Sequence, residues 1–542
     1  MANQSKRNNF IKQAGILAIA GILCRIIGIL YKSPLIALIG EEGIGYYNFA
    51  GNVYTIMLLV SSYSIPSAVS KEIAKKLIIQ EYRNAQRIFY CSLIYVIIIG
   101  GAASAFALFG AGLFVERNSV AVLRVLAPTI FLSGLLGVLR GYFQAQSNMV
   151  HSSVSQILEQ IFNAVVSVLG AYLLMQTVAG ADSTTQAIYG AVGSAIGTGA
   201  GVLSALIFML LVYFLNRGTR KKHLQESSEK QPEPYKKIFQ SIFNNITPFI
   251  ISTCIYNATA ILNQTIYSKI LLYAKNFPAK EVASEYGIYS GEAVIFVNIP
   301  VAIASAVSSA MMPDISGTYS LGNVKETRRK VDMAIRTTML ITIPSAVGLF
   351  ILAGPVVQAL FSQRSSLAEA AALLRCLSIT AVFYSLSTVT NAVLQGIGKM
   401  NLTAKNALIA LFSQSAVLTV ILFQTGWNLY GLVIAAVVHS FLMCVLNGIS
   451  VRRNLGYQMN IKKSFVIPLT AAAVMGVVAS FSYQIIHTAC SSNIISLFLT
   501  ITLSAVIYFI IVIKLGGISE NELLALPQGN LLTAVAKKAK VL

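Results

Sequence analysis

Long apolar blocks alternate with short polar intervals along the whole chain. Fourteen blocks of about 20 residues can be distinguished, and this is the length that crosses a bilayer as an α-helix. Their centres lie near residues 22, 58, 100, 130, 165, 202, 255, 300, 345, 382, 414, 438, 475 and 503. Strands would show alternation instead, and backbone groups in lipid must satisfy one another within a helix. The pattern therefore predicts an all-α integral membrane protein with 14 transmembrane helices.

Composition narrows the class of protein further. Apolar residues make up 56% of the chain and charged residues 11%, against about 45–50% and 25% in soluble domains. This excludes a cytosolic enzyme, a disulfide scaffold and a disordered chain. The six cysteines lie in or beside apolar blocks without metal-ligand spacing, so we expect packing residues and no metal site.

The chain also lacks the motifs of common catalytic sites. It has no phosphate-binding loop, no zinc-protease motif and no nucleophile elbow. We therefore expect a transporter with no cofactor and no catalytic residues, rather than an enzyme. Without an ATP site, transport would use an Na⁺ or H⁺ gradient, the membrane potential or the gradient of the cargo itself.

The distribution of positive charge predicts the orientation. With the N-terminus inside, 31 of the 40 Lys and Arg residues fall in one set of alternate loops and eight in the other, and Arg25 lies inside a span. Cytoplasmic loops carry such an excess, so both termini are expected in the cytoplasm. The net charge of +21 then needs no nucleic-acid partner. The first block continues past Arg25 to about residue 39, which predicts a retained helix rather than a cleaved signal peptide.

Weak internal similarity predicts a parallel repeat. Residues 123–126 match 374–377 at an offset of 251, and residues 45–47 match 287–289 at an offset of 242. An even number of helices separates the copies, which gives two six-helix lobes related by an axis along the membrane normal. Chance similarity between apolar segments is the alternative. The predicted organisation is an N-lobe (1–215), a cytoplasmic linker (216–237) and a C-lobe (238–455). Helices 13 and 14 (456–517) follow, and then an amphipathic tail on the inner leaflet (518–542).

Charged residues inside spans are the candidate binding residues. An arginine at mid-membrane costs about 2.5–3.5 kcal/mol, so Arg25 should face a wet cavity or a partner. Its guanidinium suits phosphate, and Lys32, two helical turns further on, would add a second positive charge. The alternative is that Arg25 pairs with a carboxylate and only organises the lobe. Glu159 is either that partner or a proton or cation site.

Other polar residues in the spans have more ordinary interpretations. Glu292 lies near an outer helix end, where solvation is the alternative to a functional role. Arg124 and Arg375 would extend to the headgroups, and positive-inside topology alone accounts for Arg140. The four histidines are scattered along the chain, and we assign a role to none of them.

Prolines and glycines predict local features of the helices. Pro34, Pro66 and Pro300 are among the helix breakers, and we expect Pro66 and Pro300 to act as hinges. Asn298 beside Pro300 would satisfy freed backbone groups or contact a polar headgroup. Three glycines spaced four apart predict a close-packing face, namely Gly193, Gly197 and Gly201.

Several motifs together resemble a known family. These are RIIG at 25–28, PL at 34–35, IGEEGIGYY at 39–47, IPSAVSK at 65–71, LRGYFQ at 139–144, SQILEQ at 155–160, VNIP at 297–300, LQGIGK at 394–399 and LPQG at 526–529. In this order they resemble the stage V sporulation protein B and YtgP proteins. Those proteins belong with the MurJ lipid II flippases in the multidrug/oligosaccharidyl-lipid/polysaccharide exporter superfamily.

The resemblance implies a mechanism and a set of site residues. It implies two lobes around a cationic cavity, with helices 13 and 14 forming a groove for a lipid tail. An essential arginine of the family corresponds to Arg25, and this chain has Lys32 near the expected second cavity arginine. An outer acidic residue that the family has near Tyr46 is missing from this chain. The implied cavity residues are Arg25, Lys32, Asn298 and Glu159.

The implied function is that of a lipid II flippase. We expect a monomer in the bacterial plasma membrane whose partners are a lipid-linked oligosaccharide and membrane lipids. The alternatives are export of another undecaprenyl-linked saccharide, Na⁺- or H⁺-coupled drug antiport, and a membrane scaffold that does not transport. A drug exporter would need Glu159 or Glu292 and tolerate loss of Arg25. A scaffold would need long cytoplasmic domains, and the sequence shows one inner loop of about 20 residues.

Overall fold

The computed structural model describes residues 20–21, 23–59, 61, 65–146, 149–227, 233–361 and 366–518. Within these ranges every regular element is a helix. The α-helices are α1 Leu23–Leu30, α2 Lys32–Leu58, α3 Ile65–Ile78, α4 Tyr82–Phe109, α5 Ala111–Phe114, α6 Val120–Ala145, α7 Met149–Thr177, α8 Ser183–Leu215, α9 Arg217–Gln225, α10 Tyr235–Lys269, α11 Ala279–Gly287, α12 Val294–Ser320, α13 Val324–Ile351, α14 Ala353–Phe361, α15 Leu367–Gly396, α16 Met400–Gln424, α17 Asn428–Leu455, α18 Ile467–Cys490 and α19 Asn493–Lys514. Short π-helical segments occupy Ile270–Ala274, Ile288–Ala293 and Lys462–Val466.

The helices confirm an all-α membrane protein. In the described part of the chain, eleven helical stretches are long and apolar enough to cross a membrane, or up to twelve if the bent pair α1 and α2 forms one span. Two of the fourteen predicted centres, near residues 22 and 58, lie in or beside this bent pair. A third, near residue 255, lies in α10, which is not among the eleven. The count of fourteen therefore stays a prediction.

A bend and a break shape the first two helices. α1 and α2 meet at Tyr31 with an angle of 45°. Pro34 has no N–H to donate to the carbonyl of Leu30, one turn back, which weakens the helix at this point. Further along α2, Gly40 has φ +75° and ψ 174°, a backbone conformation that a residue without a Cβ adopts readily. The first predicted helix thus bends after Leu30 and ends before Gly40.

The chain forms two compact units, Met1–Gly287 and Ile288–Leu542. In the first unit, α7 and α8 pack along their lengths, and α6 packs on α4 and α8. The predicted glycine face lies at the contact between α7 and α8. A Cβ on Gly193 or Gly197 would overlap the backbone of α7 at Gly170 or Ser167, and one on Gly201 would lie 2.5 Å from the Glu159 carbonyl oxygen. The predicted close-packing face is confirmed.

In the second unit, α15 packs against α12, α13 and α17. The helices predicted as 13 and 14 are α18 and α19, which pack on each other. α18 also packs on α13, where a Cβ on Gly476 would lie 3.0 Å from Val347 Cγ1. Small side chains allow two helix backbones to approach closely.

The helices of the two units agree with the predicted repeat. The matched segments 123–126 and 374–377 lie on α6 and α15, with their leucines buried and their arginines exposed. These helices end at Ala145 and Gly396, which are separated by the same offset of 251. The predicted domain boundaries themselves stay a prediction.

The polar stretch before α10 is fastened to the ends of α3 and α4. Its first part forms α9. Close to its end, Glu233 accepts a hydrogen bond from Lys76 Nζ at 2.7 Å, and its backbone oxygen accepts one from Arg87 at 2.8 Å. Lys76 Nζ also lies 3.0 Å from Glu81 Oε2. The chain that the sequence predicts as a linker is therefore tied down close to the start of α10.

Candidate functional site

Four polar residues form one stripe along α7, a helix that is otherwise mostly apolar. Ser155, Glu159, Asn163 and Ser167 are spaced four apart, so they lie on one face. We call these four residues the α7 polar face. Since polar groups in a membrane helix need partners, the contacts of this face decide what it can bind.

Glu159 forms an ion pair with Arg140 of α6. Arg140 Nη2 donates to Glu159 Oε2 at 2.7 Å, and Arg140 Nε donates to Ser155 Oγ at 2.8 Å. Hydrogen bonds between charged groups are stronger than neutral ones and hold both side chains in place. Of the two alternatives for Glu159, the one in which it pairs with Arg25 is therefore wrong. Topology alone does not account for Arg140, because the structure gives it a carboxylate partner.

Gly201 of α8 packs against the backbone of Glu159. A Cβ on Gly201 would lie 2.5 Å from the Glu159 carbonyl oxygen and 3.0 Å from the Asn163 Cβ. The absence of a side chain lets α7 approach α8 closely at the level of the ion pair. The glycine face therefore sets how closely α8 packs on the α7 backbone at Glu159.

Tyrosines from α2 and from its junction with α1 lie against the other end of the α7 polar face. Asn163 Oδ1 accepts a hydrogen bond from Ser167 Oγ at 2.9 Å. The phenol of Tyr31 lies against Asn163, and the Tyr47 and Thr198 hydroxyls are 3.0 Å apart. The polar contacts thus continue from Arg140 to the bend between α1 and α2.

Arg25 lies on α1 and is exposed. Within the described residues, no carboxylate lies within ion-pair distance of its guanidinium. α1 passes close to α7, since a Cβ on Gly28 would lie 3.1 Å from Gln160 Nε2. Cys24 lies near enough to Glu159 and Arg140 to interact with their charges. Arg25 is therefore an exposed cation on α1, a helix that passes close to α7, and it forms no ion pair among the described residues.

Lys32 is half-buried at the start of α2. No ion pair of Lys32 is found among the described residues. The bend of 45° at Tyr31 separates Lys32 from Arg25. The two charges therefore do not follow one another on a straight helix, as the seven-residue spacing suggested.

The remaining predicted site residues belong to α12 and α3. Asn298 is exposed and Pro300 is buried, both in α12 of the second unit. Pro66 is the second residue of α3, a position in the first turn that proline tolerates well. The cavity role of Asn298 and the hinge roles of Pro66 and Pro300 stay predictions.

Glu292 is fully buried, with 0% of its surface exposed. It lies in the π-helical segment Ile288–Ala293, and its Oε2 accepts a hydrogen bond from Ser366 Oγ at 3.3 Å. The interpretation of Glu292 as a solvated carboxylate is wrong. In the described part of the chain, no three His, Cys, Asp or Glu side chains converge as a metal site would require.

Sequence reasoning missed the Arg140–Glu159 pair and the tyrosines around Asn163. One signal was available, namely the four-residue spacing of Ser155, Glu159, Asn163 and Ser167 on an apolar helix. The partner of Glu159 could not be chosen between Arg25 and Arg140 without the packing of α1, α6 and α7.

Comparisons with known proteins give a consistent picture. The family model described as "Lipid II flippase MurJ" matches residues 82–518. The Bacillus subtilis (strain 168) lipid II flippase MurJ is 23% identical over 488 residues, covering 85% of this chain and 86% of that protein. Stage V sporulation protein B of the same organism is 23% identical over 528 residues, covering 96% of this chain and 98% of that protein.

Solved structures share the fold. The inward closed conformation of lipid II flippase MurJ superposes with a TM-score of 0.64 at 14% identity, covering 91% of this chain and 97% of that one. The inward-facing conformation of a multidrug resistance MATE family transporter gives a TM-score of 0.65 at 17% identity, covering 81% of this chain and 98% of that one. At these identities the similarity shows the architecture alone.

Proposed function

Because the chain belongs to the MurJ lipid II flippase family, we propose that it moves a lipid-linked peptidoglycan precursor, lipid II, from the inner to the outer leaflet. The movement occurs by alternating access in the bacterial plasma membrane, with both termini in the cytoplasm. The precursor is a polyprenyl lipid whose pyrophosphate joins the tail to a saccharide. Moving it requires a polar path for the headgroup, while the tail stays in lipid.

The exposed guanidinium of Arg25 is the observation that supports this function. Placing an arginine on an apolar helix costs free energy, and Arg25 has no carboxylate partner among the described residues. Glu159, the nearby carboxylate, is bound by Arg140. The planar guanidinium can therefore give two parallel hydrogen bonds to the oxygens of a phosphate.

The other predicted residues have supporting roles in this proposal. Lys32 adds a second cation beyond the bend at Tyr31, and Asn298 supplies an amide to the polar headgroup. Pro66 and Pro300 allow the helices to flex as access alternates. The groove formed by α18 and α19 holds the polyprenyl tail. The membrane potential or an ion gradient drives the cycle.

A second candidate is export of a different undecaprenyl-linked saccharide. Stage V sporulation protein B aligns with 96% of this chain at the same 23% identity as the MurJ relative. The pyrophosphate contact would be the same for both cargoes. The two functions differ in the saccharide alone.

Transport in vesicles tests the proposal directly. The purified chain is reconstituted with fluorescently labelled lipid II, and outward movement is measured by quenching with a membrane-impermeant reductant. Arg25→Ala should abolish movement, and Arg25→Lys should retain part of it. Arg124→Ala removes an exposed arginine of α6 and serves as the matched control.

The outcomes separate the candidate functions. Full activity of Arg25→Ala with loss of activity in Glu159→Gln would contradict the proposal and favour a cation-coupled drug antiporter. Competition with an unlabelled undecaprenyl pyrophosphate-linked glycan identifies the saccharide. If the glycan is transported and lipid II is not, the second candidate is correct.

A further inference from the structure

The short helix α9 is strongly cationic. Four of its nine residues are Arg or Lys, and its first turn contains no acidic residue. Arg217 lies about one turn from both Arg220 and Lys221, so like charges repel along the helix. A basic residue at the first position also opposes the helix dipole, and nine residues are too few for a helix that is stable on its own. The stability of α9 therefore depends on contacts outside the helix.

Contacts with α8 and α4 position α9. The Arg220 guanidinium lies over the Tyr213 ring, 3.7 Å from its centroid, and Arg220 Nη1 donates to the Tyr213 backbone oxygen at 2.9 Å. Just beyond α9, the Ser227 hydroxyl accepts a hydrogen bond from the backbone N–H of Arg83 on α4 at 3.0 Å. These contacts use Arg220 and leave the charges of the other three cations of α9 uncompensated.

We call those three cations, Arg217, Lys221 and Lys222, the α9 cationic surface. All three are exposed, and in the part of the chain that the structure describes none of them forms an ion pair. Glu226, the residue that follows α9, is exposed and pairs with none of them. Positive-inside topology accounts for basic residues in this loop, but not for their arrangement on a helix whose charges repel. The arrangement indicates an anionic partner outside the chain.

The α9 cationic surface begins where a membrane span ends. α8 is long and apolar enough to cross a bilayer, and it ends at Leu215, two residues before Arg217. On its last turn Phe214 is 62% exposed and Leu215 is 83% exposed. Large apolar side chains exposed at the end of a span face lipid hydrocarbon, so the residues that follow lie at the level of the headgroups. The partner nearest to Arg217 is therefore a phospholipid headgroup.

We propose that the α9 cationic surface binds the headgroups of anionic phospholipids such as phosphatidylglycerol. They belong to the leaflet that this end of α8 reaches, which is the inner leaflet in the predicted orientation. Their phosphates supply the missing counter-charge, and each Lys or Arg near an anionic membrane surface strengthens attachment by about fivefold. The chain between α8 and α10 is then held by lipid at α9 and by Lys76 and Arg87 at Glu233. This binding is independent of the cargo, since it uses none of the residues proposed to contact it.

Amide hydrogen exchange in nanodiscs tests the proposal. The full-length chain is reconstituted in phosphatidylcholine alone or in phosphatidylcholine mixed with phosphatidylglycerol, and exchange is followed in α9. Phosphatidylglycerol should slow exchange in α9 by about fivefold or more, because its headgroups stabilise the helix. Raised salt should remove most of this effect by screening it. Equal exchange in the two lipid compositions would overturn the proposal.

Variants separate charge from packing. Replacing the three cations together, by Arg217→Gln, Lys221→Gln and Lys222→Gln, should abolish the response to phosphatidylglycerol. In phosphatidylcholine alone this variant should exchange about twofold more slowly in α9 than the parent, because the repulsion is gone. Exchanging the two side chains by Arg217→Lys and Lys221→Arg keeps the charge and should keep the response. Loss of the response in this second variant, or its survival in the first, would contradict binding through charge.

A matched control removes three exposed arginines elsewhere, by Arg117→Gln, Arg124→Gln and Arg375→Gln. These residues are predicted on the opposite side of the membrane, so α9 in this variant should respond to phosphatidylglycerol like the parent. A polyglutamate peptide added to phosphatidylcholine nanodiscs tests for an acidic protein partner instead. Slower exchange of α9 with this peptide, together with no response to phosphatidylglycerol, would assign the surface to such a partner and overturn the proposal.

Discussion

Gly45 of α2 and Ala283 of α11 pack backbone against backbone, and a side chain on Gly45 would overlap the Ala283 carbonyl. The reciprocal contact joins Gly287 of α11 to the carbonyl of Glu41 on α2. Both contacts lie within the first compact unit. At the repeat offset of 242, residue 41 corresponds to residue 283 and residue 45 to residue 287. The two contacts therefore involve equivalent pairs of positions with the roles of the helices exchanged. The two helices therefore cross with the local symmetry expected of repeat-equivalent segments.

Alanine at Gly45 should disrupt this crossing. The added methyl group would meet backbone rather than a flexible side chain, so α2 and α11 must move apart, at a cost of about 1–3 kcal/mol. We expect a lower apparent melting temperature and lower transport for Gly45→Ala. The control is Gly51→Ala on the same helix, where a Cβ would meet no atom within 4 Å. Equal effects of the two substitutions would contradict the packing argument.

The ion pair between Lys76 and Glu233 should contribute measurable coupling energy. The side chains are 17% and 29% exposed, and the Nζ–Oε1 distance is 2.7 Å. A double-mutant cycle with Lys76→Met and Glu233→Gln should give about 0.5–1 kcal/mol. The pair of Lys75 and Glu72 is a suitable control, because the Lys75 side chain is 56% exposed. We expect the control coupling to be close to zero, and similar couplings would show that burial of the first pair has no effect.

Glu116 should make stability depend on pH. Burial and the neighbouring Glu42 carboxylate raise the pKa of Glu116 to about 7 from 4.5. The folded protein thus binds this proton more tightly than the unfolded chain does. The contribution of protonated Glu116 to the free energy of unfolding is therefore complete below about pH 4.5, and it is lost as the pH rises to about 7.

The Glu116→Gln variant checks this dependence. It should be as stable as the parent near pH 4.5 and more stable by about 1–2 kcal/mol near pH 8, after allowance for solvent screening. Apparent melting temperatures across this pH range provide the measurement. Glu281→Gln, at an exposed site, should follow the parent. Parallel curves for the parent and Glu116→Gln would refute the assignment.

Replacing Pro34 with alanine should straighten the junction of α1 and α2. The new N–H can donate to the Leu30 carbonyl and restore the helical ladder across Tyr31. Lys32 would then turn relative to Arg25, and we expect transport to fall while folding is retained. Spin labels on α1 and on α2 before Gly40 would report the change as an altered distance. An unchanged distance would mean that packing of Tyr31 against Asn163, rather than Pro34, sets the bend.

The sequence predicted some of these features and missed others for physical reasons. The close-packing face formed by Gly193, Gly197 and Gly201 was predictable, because glycines spaced four apart lie on one helix face. The helix that packs on it, α7, is known from the structure alone. The membrane-spanning helices were predictable because their apolar blocks are long enough to cross a bilayer. The partner of Glu159 was not predictable, because Arg25 and Arg140 are equally plausible partners until the packing of their helices is known. The burial of Glu292 was missed because its distance from a helix end says nothing about what covers it.

The fastening of Glu233 to Lys76 and Arg87 has a mechanical consequence. A loose linker would let α10 shift without disturbing the helices before it. This stretch is instead bound to α3 and α4 just before α10 begins. Displacement of those helix ends pulls directly on Tyr235, the first residue of α10, whose ring also packs under the Arg87 guanidinium. The starts of α4 and α10, which are more than 140 residues apart along the chain, are thereby mechanically coupled.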